Sequence, residues 1–144
     1  MGAMTRRGVL ALGAVALAGP ARAAYPLAAA EVERILAGRT AKEGVVKLDM
    51  PAIAENGLVV PLNVEAESPM TPAAYVKAIH VIAEANPNPL VATFRFFPES
   101  GKAAASTRIR LAETQNIIAF AEMSDGTVFT TKTEVKVTIG GCGG

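Results

Sequence analysis

A chain of 144 residues, 51% of them apolar, with 14 basic and 13 acidic side chains and a single cysteine, suits one domain whose core can fold without staples. The charge is modest and mixed in sign, which excludes a disordered chain and leaves no basic footprint for nucleic acid or an anionic membrane surface. One cysteine also excludes any disulfide within the chain.

The first stretch, "MTRRGVLALGAVALAGPARA", reads as an export signal. Arg6 and Arg7 give a basic start, Val9 to Ala18 form an apolar run, and Ala21-Arg22-Ala23 is a small-x-small site with cleavage expected after Ala23. The run is too short and too alanine-rich for a membrane anchor. Thr5-Arg6-Arg7-Gly8-Val9-Leu10 fits the twin-arginine pattern, and Arg22 beside the cleavage site points the same way. That route carries folded proteins into the periplasm. The expected division is therefore a signal peptide over residues 1–23, a folded domain over 24–139 and a short tail over 140–144. Arg6, Arg7 and Arg22 are the only charged residues removed with the signal, so the mature chain keeps 11 basic against 13 acidic side chains, a formal net charge of −2.

Ala28 to Leu36 reads as a short helix: Ala28, Val32, Ile35 and Leu36 recur at helical spacing, and Gly38 is a plausible stop. After it the period becomes two. Val60, Leu62, Val64 and Ala66 alternate with polar residues or proline. So do Ala92, Phe94 and Phe96, then Thr107, Ile109 and Leu111, then Val135, Val137 and Ile139. Tyr75–Ala83 and Ile117–Met123 are apolar on both faces and read as central strands, and Val45–Met50 adds a short one. The two-faced strands are expected to leave apolar surface for a partner to cover. Asn56-Gly57, Asn86-Pro87-Asn88-Pro89, Ser100-Gly101 and Ser124-Asp125-Gly126 favour tight reversals. The fold expected is all-β: an immunoglobulin-like antiparallel sandwich of about seven strands, with a short N-terminal helix.

Catalytic machinery is not visible. His80, the only histidine, lies in an apolar run and reads as a satisfied core or interface side chain. No metal site with histidine or cysteine spacing can be built. The glycines are followed by neither Lys-Ser nor Lys-Thr, so they form no phosphate loop. Glu65, Glu67, Glu122 and Asp125 are spaced as solvent-facing residues. No cofactor is implied.

The chain ends Gly140-Gly141-Cys142-Gly143-Gly144, with its one thiol bracketed by glycines. Extended chain spans roughly 3.3–3.6 Å per residue, so an arm over 140–144 could carry the sulfur some 10 Å from the last strand residue. No cation in the tail favours the thiolate, and the terminal carboxylate opposes it. The tail therefore reads as built for reach, with activation supplied by whatever enzyme grips it. That is the logic of a covalent carrier and not of an enzyme. A competing reading is an exported sandwich that binds a partner or ligand and whose cysteine only forms an intermolecular disulfide. Ubiquitin-like sulfur carriers, which also end in Gly-Gly, need ATP for loading and a mid-chain helix across a sheet, and neither suits this chain.

The tail, together with "IAENGLVVPLNVEAESPMT", "NPNPLVATFRFFPESGKAAASTRIRLAETQNIIAFAEMSDG" and "VKVTIGGCGG", resembles the SoxY family, the sulfur-carrying subunits of bacterial sulfur-oxidation (Sox) systems. The resemblance implies a periplasmic protein paired with SoxZ, a second small sandwich subunit that lacks its own signal. It implies that Cys142 bears the sulfur, with Gly140, Gly141, Gly143 and Gly144 as the swinging arm. It further implies a c-type cytochrome that joins thiosulfate oxidatively to Cys142 as an S-thiosulfonate, and a hydrolase that releases sulfate and leaves a persulfide. Where present, a sulfane dehydrogenase would oxidise the remaining sulfur.

Overall fold

The computed structural model describes residues 25–141. The chain begins with helix α1 (Pro26–Leu36). Nine strands follow: β1 (Ala41–Glu43), β2 (Val46–Asp49), β3 (Ile53–Asn56), β4 (Val60–Ala66), β5 (Val76–Ala83), β6 (Leu90–Arg95), β7 (Ala103–Ile109), β8 (Gln115–Met123) and β9 (Val128–Ile139). They form two layers. The main sheet has the order β1-β9-β8-β5-β6, with β3 beside the far half of β9, and the smaller sheet has the order β2-β4-β7.

The sandwich and its leading helix agree with the sequence reading, and the two additional strands have a simple cause. β1 and β3 are short and both run parallel to β9, covering successive stretches of one long strand. Segments of three and four residues are too short to show a period of two. β9 starts at Val128, ahead of the expected Val135, because Val128–Lys132 pair with β8 through Thr-rich sequence whose alternation is weak. β7 starts at Ala103 and not Thr107, because three alanines carry no polar contrast to read.

Alternation in β4 puts Val60, Leu62, Val64 and Ala66 into the core. There they meet Ile79 and Val81 from β5, Ile117 and Ala119 from β8, and Val135 from β9. Each buried Val, Leu or Ile among them contributes roughly 1.5–3 kcal/mol by burial.

β5 and β8 are the central strands expected, and their second apolar face is covered within the chain. α1 lies over the outer face of the main sheet, where Ala28 and Ile35 pack with Ile82, Phe120 and Val128. The expectation that these strands leave apolar surface for a partner is corrected by this packing. α1 opens with Pro26, which needs no N–H in the first turn. It ends at Ala37 in the left-handed region, φ 49°. Arg39 closes it: Nε and Nη2 donate to the Leu36 and Ile35 carbonyls at 2.8 and 2.9 Å, and Nη1 donates to the Gly126 carbonyl at 3.0 Å. A cation at a helix C-terminus complements the dipole, and here it also pins the helix to the β8–β9 turn.

Candidate functional site: the root of the C-terminal tail

Strand β9 delivers the chain end to one rim of the sandwich. Its last residues run beside β3, with Asn56 opposite Ile139, so Gly140 and Gly141 lie next to the β3–β4 turn. Asn56 builds that turn by accepting the Leu58 N–H on its side-chain oxygen at 3.0 Å, an Asx turn. Gly57 then joins a relay of backbone bonds. Its N–H donates to the Ile139 carbonyl at 2.7 Å, its own carbonyl accepts the Leu111 N–H at 2.7 Å, and the Leu111 carbonyl accepts the Gly141 N–H at 2.8 Å. Three segments distant in sequence are tied at one point.

No side chain fits at this clasp. A Cβ on Gly57 would land on the Leu111 carbonyl oxygen and 2.8 Å from the Gly141 nitrogen. One on Gly140 would land on the Ala112 carbonyl oxygen, and one on Gly141 would lie 2.9 Å from the Gly57 oxygen. None of the three has a left-handed φ, so these glycines are needed for close approach and not for backbone freedom.

The clasp is supported from behind. Asn86, in the reversal that its Asn-Pro-Asn-Pro context signals, is buried. Its Nδ2 donates to the Arg110 carbonyl at 2.8 Å, and its Oδ1 accepts the Ala112 N–H at 3.0 Å and Gln115 Nε2 at 2.9 Å. Gln115, also buried, accepts the Ala85 N–H at 2.9 Å and donates to the Glu113 carbonyl at 3.0 Å. Both buried amides are thereby satisfied, and the loop carrying Leu111 and Ala112 is held rigidly. Around the exit, Leu58, Val59 and Ile139 present exposed apolar side chains, 45%, 56% and 66% accessible.

The sequence reading starts the arm at Gly140. In the structure Gly141 is buried and hydrogen-bonded, and Gly140, though exposed, passes close against the Ala112 carbonyl, so the anchored chain runs two residues further than expected. Cys142, Gly143 and Gly144 lie outside the described residues, as do Arg6, Arg7 and Ala23. The residues that sequence reasoning missed are Gly57, Leu111, Ala112, Asn86 and Gln115. Asn56-Gly57 signals a turn, and nothing local announces that the glycine also receives a chain end more than eighty residues away.

His80 lies on the outer face of the main sheet, away from this rim. Its Nδ1 is 3.2 Å from Thr93 Oγ1 and its Nε2 is 3.6 Å from Glu122. Burial pushes its pKa below 6.5 despite the opposing pull of Glu122. Glu122 also faces Arg39 at 3.6 Å and Lys77 at 3.9 Å. Among the described residues, no three His, Cys, Asp or Glu side chains gather to hold a metal ion.

A family model described as "Sulfur oxidation protein SoxY" matches residues 32–142. Among solved structures, the sulfur carrier protein SoxY from Chlorobium limicola f thiosulfatophilum superposes with a TM-score of 0.65 at 29% identity, over 77% of this chain and 96% of that one. Superoxide reductase (neelaredoxin) from Ignicoccus hospitalis superposes with a TM-score of 0.58 at 17% identity, over 65% of this chain and 80% of that one. A superoxide reductase from Nanoarchaeum equitans gives 0.55 at 12% identity, over 66% and 99%. The reductase likenesses show a shared fold alone. No curated protein sequence matches the chain.

Proposed function

The chain belongs to the SoxY family of sulfur oxidation proteins, and from that premise we propose that it is a covalent sulfur carrier whose cargo rides on Cys142. The observation that carries this reading is that the family match runs through residue 142, where the only thiol of the protein stands between two pairs of glycines. The geometry beneath it supports the reading. β9 and the Gly57 clasp bring the chain to a defined exit, and Cys142 is the first residue beyond it.

In the proposed cycle, the Cys142 sulfur forms a bond with the outer sulfur of thiosulfate. The thiol proton is lost, and two electrons pass to the haems of a c-type cytochrome. The product is Cys142–S–S–SO₃⁻. Water, activated by a hydrolase, then attacks the sulfonate sulfur. The S–SO₃ bond breaks, sulfate leaves and a persulfide stays on Cys142. A sulfane dehydrogenase, where present, passes six electrons from the outer sulfur to a c-type cytochrome while three waters supply oxygen and lose their protons, giving Cys142–S–SO₃⁻; a second hydrolysis then breaks the S–SO₃ bond, releases sulfate and restores the thiol. Such sulfur adducts are reversible states of cysteine and exchange with other thiols, which is why a bound carrier with no activating cation of its own is useful. The carrier is the substrate-bearing subunit for enzymes, works as a complex with a SoxZ-like subunit, and reaches the periplasm by the twin-arginine route through Arg6 and Arg7.

The test is the intact mass of the mature chain after incubation with thiosulfate and the cytochrome. A thiosulfate adduct on the native chain and none on Cys142→Ser is expected. A native chain that stays unmodified while an established carrier is loaded in parallel contradicts the proposal.

A further inference from the structure

Sheets end in edges, and an unpaired edge recruits another strand unless it is blunted. Most edges of this sandwich are blunted. β1 and β3 are three and four residues long, and β2, also four, carries Lys47 and Asp49. β6 has an irregular register opposite Val81 and Ile82 and follows Pro87 and Pro89. β7 is different. It pairs with β4 alone, over seven residues in unbroken register from Ala103 to Ile109. It has no proline and no bulge, and its first five residues, Ala103 to Thr107, are small and uncharged.

The ends of this edge are basic. Lys102 lies 3.2 Å from Glu65, but among the described residues Arg108 and Arg110 form no ion pair, and both are exposed. Two shallow depressions flank Arg108, one lined by Pro61, Asn63, Ser106 and Thr107, the other by Asn88, Leu90, Val91 and Arg110. Self-pairing is opposed by these charges. A two-fold antiparallel pairing centred on Ala105 sets Lys102 against Arg108 of the copy, and one centred on Ser106 sets Lys102 against Arg110. Like charges directly opposite are destabilising.

We infer that β7 is the edge to which the partner subunit adds a strand, and that the added segment is extended and carries carboxylates that meet Arg108 and Arg110. Main-chain bonds along Ala103–Thr107 supply affinity without side-chain demands, and the arginines set register and exclude a second copy of this chain. The inference rests on the reading above in taking the partner to be the SoxZ-like subunit. It goes beyond that reading by assigning the surface.

The experiment is amide hydrogen exchange on the mature chain, free and with the co-produced SoxZ-like subunit, followed by titration of Arg108→Glu/Arg110→Glu. Strand addition protects alternate amides along residues 103–109, because only every second N–H points out of the edge. The double charge reversal weakens the complex by about tenfold or more and removes most of its salt dependence, while Lys47→Ala on the opposite edge changes little. A complex that forms without protecting β7, or one indifferent to the reversal, overturns the inference, as does the absence of any complex. Thiosulfate loading is read separately by mass. An adduct on Cys142 without β7 protection leaves the carrier reading standing, and β7 protection without an adduct leaves the interface standing.

Discussion

Leu111 donates its N–H to the Gly57 carbonyl at 2.7 Å, and the two residues meet so closely that a methyl group on the glycine would occupy the space of the Leu111 carbonyl oxygen. The same oxygen receives the Gly141 N–H. One glycine in the first half of the chain therefore fixes the path of the chain at Gly141.

Gly57→Ala is expected to open this clasp with limited loss of fold, since its φ is not left-handed and only the contact is lost. Two or three backbone bonds weaken, costing about 1–3 kcal/mol. With Gly140 and Gly141 released, the Gly141 amide should exchange faster, and Cys142 should form disulfide dimers several-fold faster at equal protein concentration. Gly44→Ala is the comparison: Gly44 is at φ 107° in open space, so this change strains the backbone but leaves the tail alone. Equal dimerisation rates in the two variants would show that the clasp does not restrain the tail.

Asn86→Ala tests the support behind the clasp. It strands the Arg110 carbonyl and the Ala112 N–H and leaves Gln115 with one fewer partner. Unpaired buried polar groups cost about 1–3 kcal/mol each, so a loss of about 2–4 kcal/mol in urea unfolding is expected. Asn86→Asp is the harsher companion: it keeps an acceptor for the Ala112 N–H and Gln115 but sets a buried carboxylate oxygen against the Arg110 carbonyl, so it should cost at least as much. A loss below about 0.5 kcal/mol for the alanine variant, the range of ordinary surface changes, would mean that water replaces these bonds.

The layers of the fold were legible because alternation is a local signal. Val60 to Ala66 announce both a strand and its inward face, and the helix is readable from Ala28, Val32 and Ile35. The family was legible in the tail and in the stretches around it. The clasp was not, because it is made by backbone atoms of residues far apart in sequence: Gly57 looks like half of a turn, and Leu111 looks like another alternating apolar residue. Asn86 stands in the reversal its sequence signals, but its bracing role is not legible, since a turn-forming asparagine and a buried one that holds a loop have the same neighbours. The two-faced apolar character of β5 and β8 is likewise local, but what covers the second face is not: eleven residues of α1 do so from within the chain, where the sequence suggests a second subunit.

Ile35→Ala tests that cover. Ile35 is 5% exposed and packs over Ile82 and Phe120. Its truncation is expected to cost about 2–5 kcal/mol and to raise binding of a hydrophobic dye as α1 loosens, while leaving affinity for the SoxZ-like subunit unchanged. If affinity for that subunit fell in step with stability, the helix face and not the β7 edge would be part of the contact.

The remaining prediction concerns acid. His80 is held below its ordinary pKa of 6.5, chiefly because burial disfavours the charged ring, with Arg95 and Arg34 adding to the effect and Glu122 opposing it. The unfolded chain therefore takes up this proton at a higher pH than the folded one. The sign follows from linkage: the contribution of His80 is fully present above pH 6.5 and is lost as the pH falls from there toward its folded value. His80→Gln keeps a polar group near Thr93 and Glu122 but cannot titrate, so its unfolding free energy should fall less steeply than that of the native chain below pH 6.5. Urea unfolding at a series of pH values measures both slopes. Parallel slopes would show that Glu122 cancels the effect of burial, and a native chain that gains stability relative to the variant on acidification would show that Glu122 outweighs it.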